Sequence, residues 1–338
     1  MTKDNKESQI NSLINEAKNI VIVQADNPDG DSLASALALE EILHELKKEP
    51  YLYSGIDMPS YLRYIPGWDR VSKDLPNNFD LSIIVDCSTV TLFESLNKSN
   101  QYRKLSSKPC ITIDHHLVDE PIGFASVNYY QKAVSTGEIL YELAKKLNWP
   151  LNLAAKERIT TSILSDSLGL MTENTSARSI HIIAELVDGG VKLPALEEAR
   201  RDVMRKSPEL LGYKGELLKR VEFHDDNKIA MVTIPWQEIE KYSPLYNPSM
   251  LVIDDMRLVE GTDIAIAFKV YKDGKITAKI RSNYGSDIAR DLAVHFNGGG
   301  HPYASGFKIE AKENRSFDEV KNETIKVTSE LLATASKK

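Results

Sequence analysis

A short β-branched run in this 338-residue chain, Ile111-Thr112-Ile113, ends on Asp114, His115 and His116. One carboxylate and two adjacent imidazoles at the end of a buried strand each need a partner, so packing alone does not account for them. Carboxylate and imidazole together suit a transition-metal ion better than Mg2+ or Ca2+ alone. Taken by itself, the triplet reads equally well as a strand-end Asp capping the next turn beside two surface histidines. Two further acidic strand ends break that tie. Residues 19–24 (NIVIVQ) read as a buried strand running into Ala25-Asp26-Asn27-Pro28-Asp29-Gly30-Asp31-Ser32, and residues 33–46 then show apolar helical periodicity. Pro28 and Gly30 mark a tight turn, and Asp31 or Ser32 is expected to cap the helix. A cap takes one such residue, whereas Asp29 and Asp31 held on alternate positions repel unless they share a cation. Residues 81–85 (LSIIV) form another strand, which ends at Asp86.

The elements that must position these groups alternate between strand and helix. That order predicts an α/β fold with a mostly parallel sheet flanked by helices and right-handed crossovers. In such a sheet the carboxyl ends of the strands share one edge, where Asp29, Asp31, Asp86, Asp114, His115 and His116 are expected to converge. Helical spacing marks an opening helix at 7–19 and amphipathic helices at 133–147 and 153–165. The last of these ends at Ser165-Asp166, where Asp166 is either a cap or a further ligand. Helices at 176–188 and 194–220 follow, with Gly189-Gly190 between them. The charged span 197–220 reads as a solvated connecting segment.

A second alternation begins near Lys228. Residues 229–235 (IAMVTIP), 263–271 (DIAIAFKVY) and 275–282 (KITAKIRS) read as strands, with Asp273-Gly274 turning between the last two. A short helix at 287–296 leads into Asn297-Gly298-Gly299-Gly300-His301-Pro302, a glycine run suited to an anion-binding nest. With Arg281 ending the preceding strand, His301 makes this a candidate phosphate clamp. A final helix at 316–336 is expected to end in a frayed tail. The division that follows is 1–190, a helical linker at 191–225, and a smaller α/β substrate domain at 226–338.

Composition narrows the functional classes. Apolar residues make up 42% and charged residues 27%, an ordinary globular balance. The net charge of −7 argues against a surface for long duplex nucleic acid. No apolar run is long enough to span a bilayer, and the N-terminus is polar. Two cysteines, Cys87 and Cys110, sit in apolar strand-like runs and are expected to be buried thiols of a reduced, cytoplasmic protein.

These residues resemble the DHH phosphoesterase superfamily, whose branches include nanoRNase/pAp phosphatases, RecJ-like exonucleases, cyclic-di-AMP phosphodiesterases and family II pyrophosphatases. NPDGD, IIVDCS, IDHH and ILSDS match its four N-terminal motifs in order, and IRSNYGSDIA and GGGHPYASGF resemble its DHH-associated substrate domain. The resemblance spans nearly the whole chain and looks nearest to the nanoRNase/pAp phosphatase branch. It implies that Asp29, Asp31, Asp86, His115 and Asp166 ligate two divalent metal ions, commonly Mn2+, with Asp86 bridging. It also implies that His116 lies near the scissile phosphate, that Asp114 orients the histidines, and that Arg281, Gly299, Gly300 and His301 hold a terminal phosphate or base. A homodimer is implied by resemblance alone.

One position departs from the pattern. The family's first motif usually begins with His four positions before Asp29, and here that residue is Ala25. One metal position therefore loses its nitrogen ligand, for which Asp26 or a water could substitute, giving a more oxygen-rich and more Mg2+-tolerant site. The expected activity is hydrolysis of short single-stranded oligoribonucleotides, and of pAp, by a water activated between two metal ions. A cyclic or linear dinucleotide phosphodiesterase is the second enzyme reading. A nucleotide-binding protein that has lost turnover is the third.

Overall fold

The computed structural model describes residues 3–87, 89–99, 101–116 and 121–335; Ser88 and the last three residues of the frayed end expected at 335–338 lie outside this set. The chain divides into two compact units, Met1–Arg205 and Lys206–Lys338. That boundary falls inside the span expected as a linker at 191–225.

The first unit runs α1 (Lys3–Glu16), β1 (Asn19–Val23), α2 (Gly30–Glu45), β2 (Glu49–Tyr53), β3 (Leu81–Val85), α3 (Glu94–Lys98), α4 (Tyr102–Ser106), β4 (Cys110–Asp114), β5 (Val127–Tyr130), α5 (Thr136–Leu147), α6 (Leu153–Asp166), α7 (Ala177–Asp188) and α8 (Leu193–Met204). The five strands form a wholly parallel sheet in the order β2-β1-β3-β4-β5. β1, β3 and β4 are neighbours, so the chain leaves them along one edge. Side chains alternate between two cores, as the two-residue strand period requires. Ile20 and Ile22, Ile83 and Val85, and Ile111 and Ile113 face one core with α2, α5 and α6. Val21 and Val23, Ile84 and Cys110 face the other. Both thiols are buried and free, and burial pushes Cys87 up to about 12 and Cys110 to about 11.

β2 and β5 carry no period-two apolar pattern. Their segments read EPYLY and VNYY, and they lie at the two sheet edges, where Pro50 is tolerated because its missing N–H need not enter a ladder. The single helix expected at 194–220 is two. It breaks before Pro208, which opens the next helix, because the residue before a proline avoids the helical conformation.

The second unit runs α9 (Pro208–Lys219), β6 (Glu222–His224), β7 (Ile229–Ile234), α10 (Trp236–Tyr242), α11 (Pro248–Arg257), β8 (Ile264–Val270), β9 (Ile276–Ser282), α12 (Ala289–His295), β10 (Gly299–His301), β11 (Ala304–Ile309) and α13 (Phe317–Ala335). Its six-stranded mixed sheet has the order β10-β11-β9-β8-β7-β6. On one face Ile266, Phe268, Ile280 and Phe307 pack under α12 and α13. On the other, α9 and α11 cover β7 and part of β8. No helix among the described residues is long and apolar enough to cross a membrane.

Candidate active site

The site begins at the N-terminus of α2. Asp29 is the N-cap: its Oδ1 accepts the Ser32 backbone N–H at 3.0 Å, and the Ser32 hydroxyl accepts the Asp29 N–H at 3.1 Å. The cap expected at Asp31 or Ser32 is thus at Asp29, two residues before Asp31, and Ser32 serves as the reciprocal partner of a capping box. Asp31, released from capping, is fully buried. It accepts from the Thr136 N–H at 2.7 Å, the Ser162 hydroxyl at 2.5 Å and the Ser35 hydroxyl at 2.8 Å. Glycine permits this crowding. A Cβ on Gly30 would stand 2.0 Å from Ser165 Oγ, and one on Gly137 would stand 2.2 Å from Ser162 Oγ. The ends of α2, α5 and α6 therefore meet at side-chain distance, and Asp31 comes beside Asp166.

The other ligating groups leave the strand ends. Asp86, the first residue after β3, has φ +55°, a left-handed conformation that Asp tolerates better than most residues. It turns away from strand alternation, and its Oδ1 accepts the Thr136 hydroxyl at 3.2 Å. His115 follows β4, with Nδ1 at 3.3 Å from the Ala133 carbonyl. Nδ1–H donating there leaves Nε2 facing the carboxylates. Nε2 lies 3.3 Å from Asp166, 3.5 Å from Asp86 and 3.6 Å from Asp31, yet forms no well-made hydrogen bond. His116 lies beside it, ring centroids 4.2 Å apart and planes tilted by 53°, with its Nδ1 at 2.9 Å from Asp114 Oδ1. Asp114 also accepts the His116 backbone N–H, so it fixes the orientation of His116, whose ring is more than half exposed.

Charge crowding dominates the electrostatics. Burial raises the Asp31 carboxyl, and the neighbouring Asp166 raises it further. Asp86 is pushed well above its ordinary value by burial and then by Asp31. Burial alone would lower His115, but Asp166, Asp86 and Asp31 together carry it up to about 11. The hydrogen bond from Asp114 raises His116. The Asp31, Asp86 and His115 protons are all held more tightly than in the free groups, because the cluster is buried and has too little positive charge of its own. A divalent cation would displace those protons.

Two groupings have the mutual distances of a metal site: Asp31, His115 and Asp166, and Asp86, Asp114, His115 and His116. The orphaned, buried Nε2 of His115 amid three carboxylates fits a divalent cation directly. Asp29 falls outside both groupings, held by its cap. Ala25 packs in the apolar cluster with Val23, Tyr53 and Phe93. Asp26, the substitute ligand allowed by the sequence, instead accepts the Ser95 backbone N–H at 2.6 Å. Gln24 is fully buried, with neither amide atom hydrogen-bonded.

The comparisons with known proteins agree with this geometry. The model of the DHH family, N-terminal domain, matches residues 19–171. This segment is a DHH-family domain. The DHH domain thus contains Asp29, Asp31, Asp86, Asp114, His115, His116 and Asp166. The chain is 26% identical over 294 residues to the bifunctional oligoribonuclease and PAP phosphatase NrnA of Bacillus subtilis, covering 86% of this chain and 89% of that one. It is also 26% identical to the Thermus thermophilus protein of the same name, covering 85% and 83%. Among solved structures, an exopolyphosphatase-related protein from Bacteroides fragilis superposes with TM-score 0.80 at 20% identity, covering 99% and 98%. That likeness establishes that the two-unit architecture is shared.

Outside the DHH domain, the expected phosphate clamp is divided. Arg281 lines a cleft of about 630 Å³ in the second unit, while Gly299, Gly300 and His301 do not. The glycine run expected as a nest is instead the exposed edge strand β10, paired antiparallel with β11. Lys269, Lys279 and Ser249 do line the cleft and were not picked out from the sequence. The available signal was the order Ala278-Lys279-Ile280-Arg281, which places two cations on one strand face and Ile280 on the other.

Proposed function

We propose that the chain is a divalent-metal-dependent phosphoester hydrolase of short oligoribonucleotides, releasing mononucleotides, with pAp as a second substrate. The observation that carries this reading is His115 Nε2, buried and without a hydrogen bond among Asp31, Asp86 and Asp166. Such a donor set is suited to a divalent cation. The names of the Bacillus and Thermus relatives support the choice of substrate. Asp31, Asp86, His115 and Asp166 would hold one ion, and Asp29 with Asp86 a second, more weakly. Bound divalent cations, Mn2+ by preference, supply Lewis acidity at a phosphoryl oxygen and an acidified water as nucleophile.

The chain's own residues do the rest. Thr136 and Ser162 hold Asp86 and Asp31 in fixed rotamers, so little reorganisation is needed when ligand arrives. Asp114 anchors one nitrogen of His116 and leaves the other ring edge for a phosphate oxygen or the leaving oxygen. Incubating the full chain with 5′-phosphorylated RNA dimers, pAp and cyclic di-AMP, each with Mn2+, Mg2+ or EDTA, tests the proposal. Mononucleotide release from the dimers with Mn2+, and none with EDTA, is the expected result. Turnover confined to cyclic di-AMP would replace this reading with the dinucleotide one. Silence with every substrate and metal, in a protein that binds nucleotide, would follow if Ala25 and the diverted Asp26 have disabled the centre.

A further inference from the structure

Gln24 is fully buried, and neither polar atom of its side chain has a hydrogen-bond partner among the described residues. A primary amide carries N–H donors and an acceptor oxygen, and closing it into an interior with all of them unused is costly. The backbone at this position is in order: the Gln24 N–H donates to the Tyr53 carbonyl at 3.0 Å, so the chain still runs on as an extension of β1. An orphan of this kind marks a partner that is not part of the protein, a water or an ion.

Strand alternation gives the direction of the amide. Ile20 and Ile22 face the core covered by α2, α5 and α6, whereas Val21, Val23 and Ala25 face the other. Gln24 falls in the first series. The cation cluster is built on that same side, because Thr136 at the start of α5 holds both Asp31 and Asp86, and Ser162 on α6 holds Asp31 as well. Register brings the amide up to it. Val23 lies opposite Ile84 in the parallel β1–β3 ladder, so Gln24 comes beside Val85, the residue before Asp86, across a strand spacing of about 4.8 Å. Side chains nearby are engaged elsewhere. Ser54, which follows β2 on the other flank, donates to the Ala25 carbonyl at 3.3 Å, and the Ser32 hydroxyl is the acceptor for the Asp29 N–H. Ala25 offers no ligand atom, and Asp26 is turned to the Ser95 N–H. Of the substitutes for a nitrogen ligand, a water remains, and an ordered water needs polar partners to hold it.

We propose that Gln24 is a positioning residue of the metal centre, its amide holding a water in place of the missing nitrogen ligand at the cation position of Asp29 and Asp86. Oε1 accepts one O–H of that water and leaves the water's oxygen for the cation. The amide is neutral and adds no charge, so this position stays the weaker of the two. This role rests on the metal-dependent reading above and assigns the residue that makes up for Ala25.

The test is Mn2+ calorimetry on the metal-free full chain, with thermal unfolding in EDTA beside it; neither needs a substrate. Gln24→Met removes the amide and keeps the length of the side chain. It should weaken the second ion at least tenfold and leave the first within about twofold. It should also raise the thermal midpoint in EDTA by about 2–4 °C, since an unpartnered amide leaves the interior. A residue kept for packing alone would not divide the two ions in this way. Gln24→Glu puts a carboxylate where the water is held and should tighten the second ion at least tenfold; it reads the same contact if Gln24→Met does not fold. Variants that bind both ions as the parent does would overturn the proposal. So would equal affinity for the two ions in the parent, which would make the amide oxygen a direct ligand. A parent that binds no Mn2+ would refute the metal-dependent reading itself, whereas a first ion bound tightly and a second indifferent to position 24 would refute only the role of Gln24.

Discussion

In the DHH domain, three carboxylates close on one imidazole where the ends of β3, β4, α2 and α6 meet; in the second unit, two lysines and an arginine share the open face of a mixed sheet with no carboxylate ion pair among the described residues. The first arrangement lacks positive charge and the second lacks negative charge. A net charge of −7 averages over both and reports neither. Each site is costly for the free protein, because like charges are held together where solvent screens them poorly. Each would be relieved by a ligand of opposite sign. Function, on this account, is written as two local charge imbalances in separate units.

The largest effect expected is from Asp86→Asn. Asn retains the left-handed backbone and the shape of Asp86, but removes a charge from the cation site. Turnover of RNA dimers with Mn2+ should fall by on the order of a thousandfold. Dimer binding in EDTA should stay within about twofold, since the altered residue is in the other unit. Equal losses in both assays would dissolve the distinction between the two sites.

A pH series separates them next. His115, carried up to about 11 in the metal-free protein, is protonated throughout the range from pH 6 to 8. Ligation needs the neutral imidazole, so metal uptake releases that proton and affinity rises with pH. The increase should approach about tenfold per pH unit for each proton displaced, read by Mn2+ calorimetry in two buffers of different ionisation enthalpy. Dimer binding in EDTA should show no such rise. Metal stoichiometry sharpens the account of the cation site itself. One Mn2+ should bind at least about tenfold more tightly than a second, because Asp29 is held by its cap and Ala25 offers no ligand atom. Two ions of equal affinity by calorimetry would mean that another group, Gln24 among them, completes the second position.

The smallest effects are on stability. Gly137→Ala drives a methyl into Ser162 Oγ, and Ala25→His forces an imidazole into the cluster around Val23 and Phe93. Each should cost about 1–3 kcal/mol by thermal or denaturant unfolding. An Ala25→His protein that gains Mn2+ affinity at no cost in stability would show that the apolar packing of position 25 is easily rearranged.

The contrast also explains which parts were legible in the sequence. Strand-end chemistry is compact in sequence: NPDGD, the Asp after LSIIV, and IDHH each place a carboxylate just beyond an apolar run, and parallel topology aligns those ends. The parallel sheet, the helices flanking it and the convergence of Asp31, Asp86 and His115 could be anticipated, whereas Asp166 joined them only through the family resemblance. Which of these residues caps α2 could not be read from residue type alone: the close approach of α2, α5 and α6 buries Asp31 and leaves the cap to Asp29. Lys269, Lys279 and Ser249 went unnoticed because a lysine on a strand ordinarily marks a solvated face. The two lysines are half-buried near the N-terminus of α11, in whose first turn Ser249 itself lies. The glycine run differs from the loop expected only in conformation: Gly299 and Gly300 pair with β11, and pairing overrides the loop that their local freedom suggests.

The most direct test of the central claim is the rate of mononucleotide release from a 5′-phosphorylated RNA dimer as Mn2+ is titrated into metal-free protein, beside Asp86→Asn. The account predicts no release without metal, saturable release in the parent, and loss of that release in the variant. Release that is indifferent to Mn2+ or to Asp86 would contradict it.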